Sequence, residues 1–304
     1  MLDESILREL ETASIHLARG AGALLARYKS GDIEVDYKGS GLSDPVTEAD
    51  LRVEEYLRDQ ISREFPGHGI IAEESDGYGN DSSDFTWVID PLDGTANFVW
   101  GVPLYAISIG LLYKGVPLVG SLFLPHTLAG DGVYHARVGG GAYAGKDLLK
   151  AVPASSSRLS GLAGLPASYL RTVSFKKHRG KSGDKRGLGE IRVTGSIACE
   201  MVMVATGVLQ YSLFMASRIW DVAAGVVLIR EAGGEVLEWR EGEWRPFADF
   251  VISSQQVGIS SSQGLRSWGA PLLVGGVGIV ADIASRIRPK RTIIRSLLNL
   301  MRLT

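Results

Sequence analysis

The chain contains a single cysteine, Cys199, among 304 residues, which excludes an intrachain disulfide framework. That cysteine lies in an apolar, helix-patterned run and reads as a small buried hydrophobe rather than a nucleophile. An excess of positive charge is also missing. Lys and Arg number 32 against 34 Asp and Glu, a formal charge of −2, so the chain offers no basic surface suited to nucleic acid or an anionic membrane. No apolar run reaches membrane-spanning length, because Lys114 and Asp282 interrupt the most apolar windows. The opening Leu2-Asp-Glu-Ser5 lacks the basic segment that begins a secretory signal. These absences predict a cytoplasmic protein without membrane or nucleic-acid partners, long enough for a two-lobed body with a cleft.

Periodicity supplies the elements. Helical spacing of Ile6, Leu10, Leu17, Leu24 and Leu25 predicts an amphipathic helix over 5–28. A short strand over 33–38 is followed by Gly39-Ser-Gly41, a loop with the look of a hinge, and by a helix over 47–65. Apolar strands over 106–113 and 116–124 are joined by Lys114-Gly115, a hairpin signal. Composition turns to Pro and Ser over 151–160, which predicts a boundary between a first lobe at 1–150 and a second at 151–288. Residues 289–304 read as a short basic amphipathic helix, carrying Arg291 and Arg295 with Ile294 and Leu298. There is no internal repeat.

The chemistry concentrates in four places. Phe85-Thr-Trp-Val-Ile89 predicts a buried strand that turns at Asp90-Pro-Leu-Asp93-Gly-Thr95, so two carboxylates emerge beside a glycine, a hydroxyl and free backbone N–H groups. Carboxylates collect hard cations, and cations with N–H groups collect phosphate. Glu73 and Glu74 follow another short apolar run. Thr47-x-x-Asp50 fits a capping box, yet Asp50 falls one turn before Val53 and Leu57, on the inward side of its helix, where an acid needs a partner. Trp220-Asp221 opens an apolar helix, with Ala223, Ala224 and Gly225 small enough for close approach to other backbone. Each segment alone is explained by turns and caps; the four in order are not.

Together they resemble the inositol monophosphatase superfamily over about residues 5–288, through Asp44-Pro-Val-Thr47-Glu-Ala-Asp50, Glu73-Glu74, Asp90 to Thr95, Gly195-Ser196 and Trp220 to Gly225. The resemblance implies an α+β fold, a layered α-β-α-β-α sandwich, usually dimeric, with the site between lobes. It also implies a lithium-sensitive phosphatase dependent on two or three Mg2+ ions, with Mn2+ as a substitute. By that likeness Glu73, Asp90 and the Leu92 carbonyl hold one ion, Asp90, Asp93 and Asp221 a second, and a looser third lies near Glu73. Asp50 and Thr95 resemble the pair that orients and deprotonates the attacking water, with Glu73 beside them. Gly94 and Thr95 offer N–H groups to phosphate, Gly195 and Ser196 line the substrate, and Lys38 resembles the lysine of a mobile loop.

One departure bears on specificity. Inositol-selective relatives commonly place a carboxylate seven residues before the Trp-Asp aspartate, and here that position is Phe214, which cannot accept hydrogen bonds from a polyol. Tyr169 and Arg171, with Lys176 and Lys177, resemble members that accept both inositol phosphate and fructose bisphosphate, where they would bind a second phosphate. The expected activity is hydrolysis of inositol 1-phosphate, fructose 1,6-bisphosphate or both. Hydrolysis of 3′-phosphoadenosine 5′-phosphate is the sibling alternative, and a noncatalytic metal- and phosphate-binding scaffold is the rival of another class.

Overall fold

The computed structural model describes residues 2–28, 35–37, 45–75, 78–79, 83–125, 132–149, 161–175, 188–250 and 261–290. Lys38, the Gly39-Ser-Gly41 segment, Asp44, Lys176, Lys177 and the predicted helix beyond Lys290 lie outside them.

Two sheets carry the architecture. The first has eight strands, drawn from residues 69–148, and the second has six, drawn from residues 162–276. Helices Glu4–Tyr28 and Glu48–Glu64 cover the outer face of the first sheet. Leu10, Leu17, Leu25, Val53, Leu57 and Ile61 recur at helical spacing and meet Trp87, Ile89, Ile107 and Ile109. The alternate residues of the same strands, among them Val88 and Leu112, face inward onto helices Ile197–Ala205 and Ile219–Glu231. The second sheet closes on these helices from the other side with Phe214, Val236, Leu272 and Val274. Its far face, including Tyr211, Leu213 and Leu273, packs on Ile279, Val280 and Ile283 of helix Val277–Arg286. The layers therefore run helix, sheet, helix, sheet, helix, as the family likeness implies.

The central helix Ile219–Glu231 is buried on all sides from Val222 to Ile229, because it has a sheet on each face. Its second turn comes close to the first sheet. Gly110 and Gly120 are cross-strand partners in strands Ala106–Tyr113 and Val116–Phe123. A Cβ on Gly110 would lie 2.8 Å from the Ala223 Cβ, and one on Gly120 would fall inside the Ala224 backbone. The glycine pair thus forms a slot for Ala223 and Ala224. Gly225 faces the opposite way, where a Cβ would meet Met201.

Local readings hold with small shifts. The first helix starts at Glu4, and the second is Glu48–Glu64 with the Thr47/Asp50 capping box intact. Lys114 and Gly115, with φ of 50° and 81°, make the left-handed turn that a two-residue hairpin requires. Strand Val35–Tyr37 pairs with Pro45–Thr47. Strand Ile287–Pro289 pairs with Val173–Phe175, and Lys290 N–H donates to the Thr172 carbonyl.

Candidate active site

The strand expected to end at Asp90 continues to Asp93. Its pairing with the next strand slips there: Asp90 faces Ser108 and Asp93 faces Ala106, three residues advancing against two. Two acids three apart would point to opposite faces of a regular strand, and the extra residue of this bulge restores them to one face. Pro91, which has no N–H to lose, sits inside the bulge. Leu92 N–H folds back to Asp90 Oδ1 at 3.0 Å.

Three further elements bring acids to this point. Asp50, 1% exposed, accepts from Thr47 N–H at 2.8 Å and Thr47 Oγ1 at 2.5 Å through Oδ2, while Oδ1 accepts from Thr95 Oγ1 at 3.0 Å. The same Thr95 hydroxyl lies 3.0 Å from the Leu92 carbonyl. Glu73 follows strand Gly69–Ala72, and its N–H donates to Ile89 O. Glu54, buried in the second helix, accepts from Glu74 N–H at 2.8 Å, and Arg58 donates to Ser75 Oγ at 2.9 Å, so that helix braces the loop carrying Glu73. Asp93 Oδ2 accepts from Ser196 Oγ at 2.6 Å and from Ala198 N–H at 2.5 Å at the start of helix Ile197–Ala205. Asp221 occupies the third position of its helix and accepts from Arg218 N–H at 2.7 Å. Ser108 Oγ, opposite Asp90, donates to the Trp220 carbonyl at 3.0 Å, which ties the Asp221 helix to the strand beside Asp90.

Electrostatics mark the cluster as a place for positive charge. Burial first, then Glu73, Asp93 and Asp221, push the Asp90 carboxyl well above its ordinary value. Asp221 is raised well above its ordinary value by burial and by Asp93 and Glu73, against the Arg218 N–H bond. Asp93 is pushed up to about 6, mainly by burial, against the bonds from Ser196 and Ala198. Asp90 is buried, whereas Asp93 and Asp221 are half-buried. Burial also raises Asp50.

The donor set, four carboxylates and the Leu92 carbonyl, is all oxygen and suits a hard divalent cation. Among the described residues no three Asp, Glu, His or Cys groups are drawn close enough together to enclose an ion. Asp90, Asp93 and Asp221 are each held by a backbone donor and repel one another, so convergence needs the opposite charge that a cation would bring.

The other expected residues are placed as follows. Gly94 has φ of 90° and opens the short helix Thr95–Val99; a Cβ there would lie 2.9 Å from the Leu104 carbonyl. Gly195, with φ of 81°, and Ser196 abut Asn97 and Asp93. Ser196 is buried and caps its own helix by accepting from Cys199 N–H, so as placed it orients Asp93. Phe214 is 4% exposed within the central core. Tyr169 packs on the outermost core and Arg171 is exposed on the same short helix, Tyr169–Thr172. Cys199 is buried with its thiol pushed up to about 12 by desolvation, which suits a small core residue rather than a nucleophile.

Sequence reasoning missed the groups that hold these residues still. Asn97 Nδ2 donates to the Leu104 carbonyl at 2.6 Å and the Thr194 carbonyl at 2.8 Å, which fixes the Gly195-Ser196 turn. Glu200, buried, accepts from Thr194 Oγ1 at 2.8 Å. The signal for Glu200 was an acid inside an apolar helix; Asn97 gave none.

Known proteins resemble this chain in sequence and in fold. The inositol monophosphatase family matches over residues 6–273. A fructose-1,6-bisphosphatase/inositol-1-monophosphatase of Aquifex aeolicus is 32% identical over 233 residues, covering 76% of this chain and 86% of its own length. An inositol-1-monophosphatase of Mesorhizobium japonicum is 32% identical over 239 residues, covering 75% and 85%. The solved inositol monophosphatase-II of Staphylococcus aureus superposes with a TM-score of 0.66 at 27% identity, over 91% of this chain and 94% of that one. The extragenic suppressor protein SuhB of Bartonella henselae superposes with a TM-score of 0.68, over 91% and 97%, and at 23% identity shows the fold alone. The chain belongs to the inositol monophosphatase family.

Proposed function

We propose that the chain hydrolyses small polyol or sugar phosphates, inositol 1-phosphate and fructose 1,6-bisphosphate foremost, with two or three Mg2+ ions. That it is a phosphoric monoester hydrolase follows from its family. Glu73, Asp90 and the Leu92 carbonyl would hold one ion, Asp90, Asp93 and Asp221 a second, with a looser third near Glu73; Mn2+ suits the same oxygens. Bound there, divalent ions supply charge for the phosphoryl oxygens and make water more acidic.

The observation that carries this reading is the Thr95–Asp50 hydrogen bond at the rim of the acid cluster. Thr95 has one hydroxyl proton, which Asp50 or the Leu92 carbonyl accepts, so its lone pairs remain able to accept a proton from a water. When the Thr95 proton is shared with Asp50, Asp50, held by two bonds from Thr47, would take that proton as Thr95 takes one from the water. The Gly94 and Thr95 N–H groups lead the 95–99 helix, where donors lack intrahelical acceptors, and would take a phosphate oxygen. Ser196 orients Asp93 beside them. Arg171 and Tyr169, with Lys176 and Lys177, would hold the second phosphate of a bisphosphate, and Lys38 would close over the site. The same reading makes the protein a lithium-sensitive cytoplasmic homodimer.

A substrate panel with saturating Mg2+ tests it. Phosphate release should be fastest from inositol 1-phosphate or fructose 1,6-bisphosphate and should stop on chelation. Preference for 3′-phosphoadenosine 5′-phosphate would favour the sibling activity, and no release from any ester would favour a scaffold.

A further inference from the structure

Arg266 lies 193 residues from Glu73 in sequence, yet its guanidinium donates to the Glu73 carbonyl at 3.2 Å and to the Ala72 carbonyl. It also stacks over the Trp220 ring, 5.2 Å from the centroid. Trp220 immediately precedes Asp221, and its own carbonyl is held by Ser108 of the first sheet. One side chain therefore joins the main chain of one acid to the residue before another. A planar fork of donors suits two neighbouring carbonyls while its face covers an indole, and an ammonium cannot match both contacts.

The clamp is anchored from behind. Arg266 ends helix Ser261–Arg266, and Trp268, two residues on, is 4% exposed and packs edge-on against Phe250 at 4.7 Å. The strand Gly269–Gly276 then enters the second sheet beside Leu209–Arg218. Arg266 is thus fixed to the second sheet while it holds the end of a first-sheet strand. The geometry points to Arg266 as a positioning residue that sets Glu73 against Asp221, so that repelling carboxylates are pre-spaced for the two divalent ions that share Asp90. This rests on the reading of these acids as a cation site. Arg266 touches no carboxylate of the cluster in any contact described above; it acts through the Glu73 main chain and the Trp220 ring.

Arg230 provides a matched comparison. It too stacks on an aromatic ring, Phe247 at 5.3 Å, and donates to that residue's carbonyl, with no link to the Glu73 loop. The test measures Mn2+ binding to the metal-free protein by electron paramagnetic resonance, without substrate, in the wild type, Arg266→Met, Arg266→Lys and Arg230→Met. Melting temperature in chelator and phosphate release with Mg2+ are recorded alongside. Arg266→Met should weaken Mn2+ binding at least tenfold, Arg266→Lys by an intermediate factor, and Arg230→Met not at all, even if it melts earlier. Wild-type affinity in a folded Arg266→Met overturns the clamp, as does an equal loss in Arg230→Met. If Arg266→Met does not fold, wild-type affinity in Arg266→Lys overturns it. A wild type that neither binds Mn2+ nor releases phosphate overturns the functional reading and the clamp together, whereas binding and turnover insensitive to Arg266 overturn the clamp alone.

Discussion

Asp90 is the acid on which burial and three like charges press together, and it is shared by both expected ion positions. Replacing it with Asn keeps an oxygen for the Leu92 N–H while removing the charge. Asp90→Asn should therefore reduce Mg2+-dependent turnover by more than the roughly 10–100-fold typical of groups that only orient ligands. Its melting temperature in chelator should be no lower than the wild type's, because repulsion is relieved; a large drop there would make Asp90 structural. The pH dependence has a defined sign. Asp93 titrates near 3.8 in the open chain and at about 6 in the fold, so the folded state holds the proton more tightly. Its contribution to stability is complete below about 3.8 and is lost as pH rises through 6. Metal-free protein should become less stable across that window, and added Mg2+, which needs the ionised carboxylate, should stabilise progressively more. Melting curves at several pH values, with and without Mg2+, check both slopes. The acids and Thr95 were legible because they sit in short motifs. Arg266 and Asn97 were not, since each acts on carbonyls far away in sequence, and nothing local distinguishes them from ordinary polar residues.

At the scale of elements, the site depends on how closely the Asp221 helix approaches the first sheet. The Gly110/Gly120 slot sets that distance, and neither glycine touches the acids. Gly120→Ala should cost about 1–3 kcal/mol by overpacking and should raise the Mg2+ concentration needed for half-maximal activity, because the helix must retreat from Asp90. Gly67→Ala, where no atom stands within 4 Å of the added methyl, is the control and should change neither. Denaturant melts with Mg2+ titrations of turnover measure the two effects. Helix periodicity and the Lys114-Gly115 turn gave the long helices and the hairpin, since burial of one face imposes its period on the sequence. The bulge at Asp90 to Asp93 was not legible: the acidic, Pro-containing stretch reads as a turn, and only pairing with the 106–113 strand extends the strand through it.

At the scale of the molecule, two sheets and the helix pair between them converge on one acidic point. The layer order came from the family likeness, because spacing along a strand says which face is apolar and not which element covers it. The central helices show why: buried on every side, they carry no amphipathic stripe that would assign them to a sheet. Among the described residues no helix is long and apolar enough to cross a membrane. The central claim is that the carboxylates of Glu73, Asp90, Asp93 and Asp221 hold the divalent ions on which phosphate ester hydrolysis depends. The most direct measurement is phosphate release as a function of free Mg2+ by the wild type and by Asp221→Asn. The account predicts no release in chelator, a saturable rise with Mg2+, and a curve displaced at least tenfold to higher Mg2+ in Asp221→Asn. Release that persists in chelator, or superimposable curves for the two proteins, would contradict it.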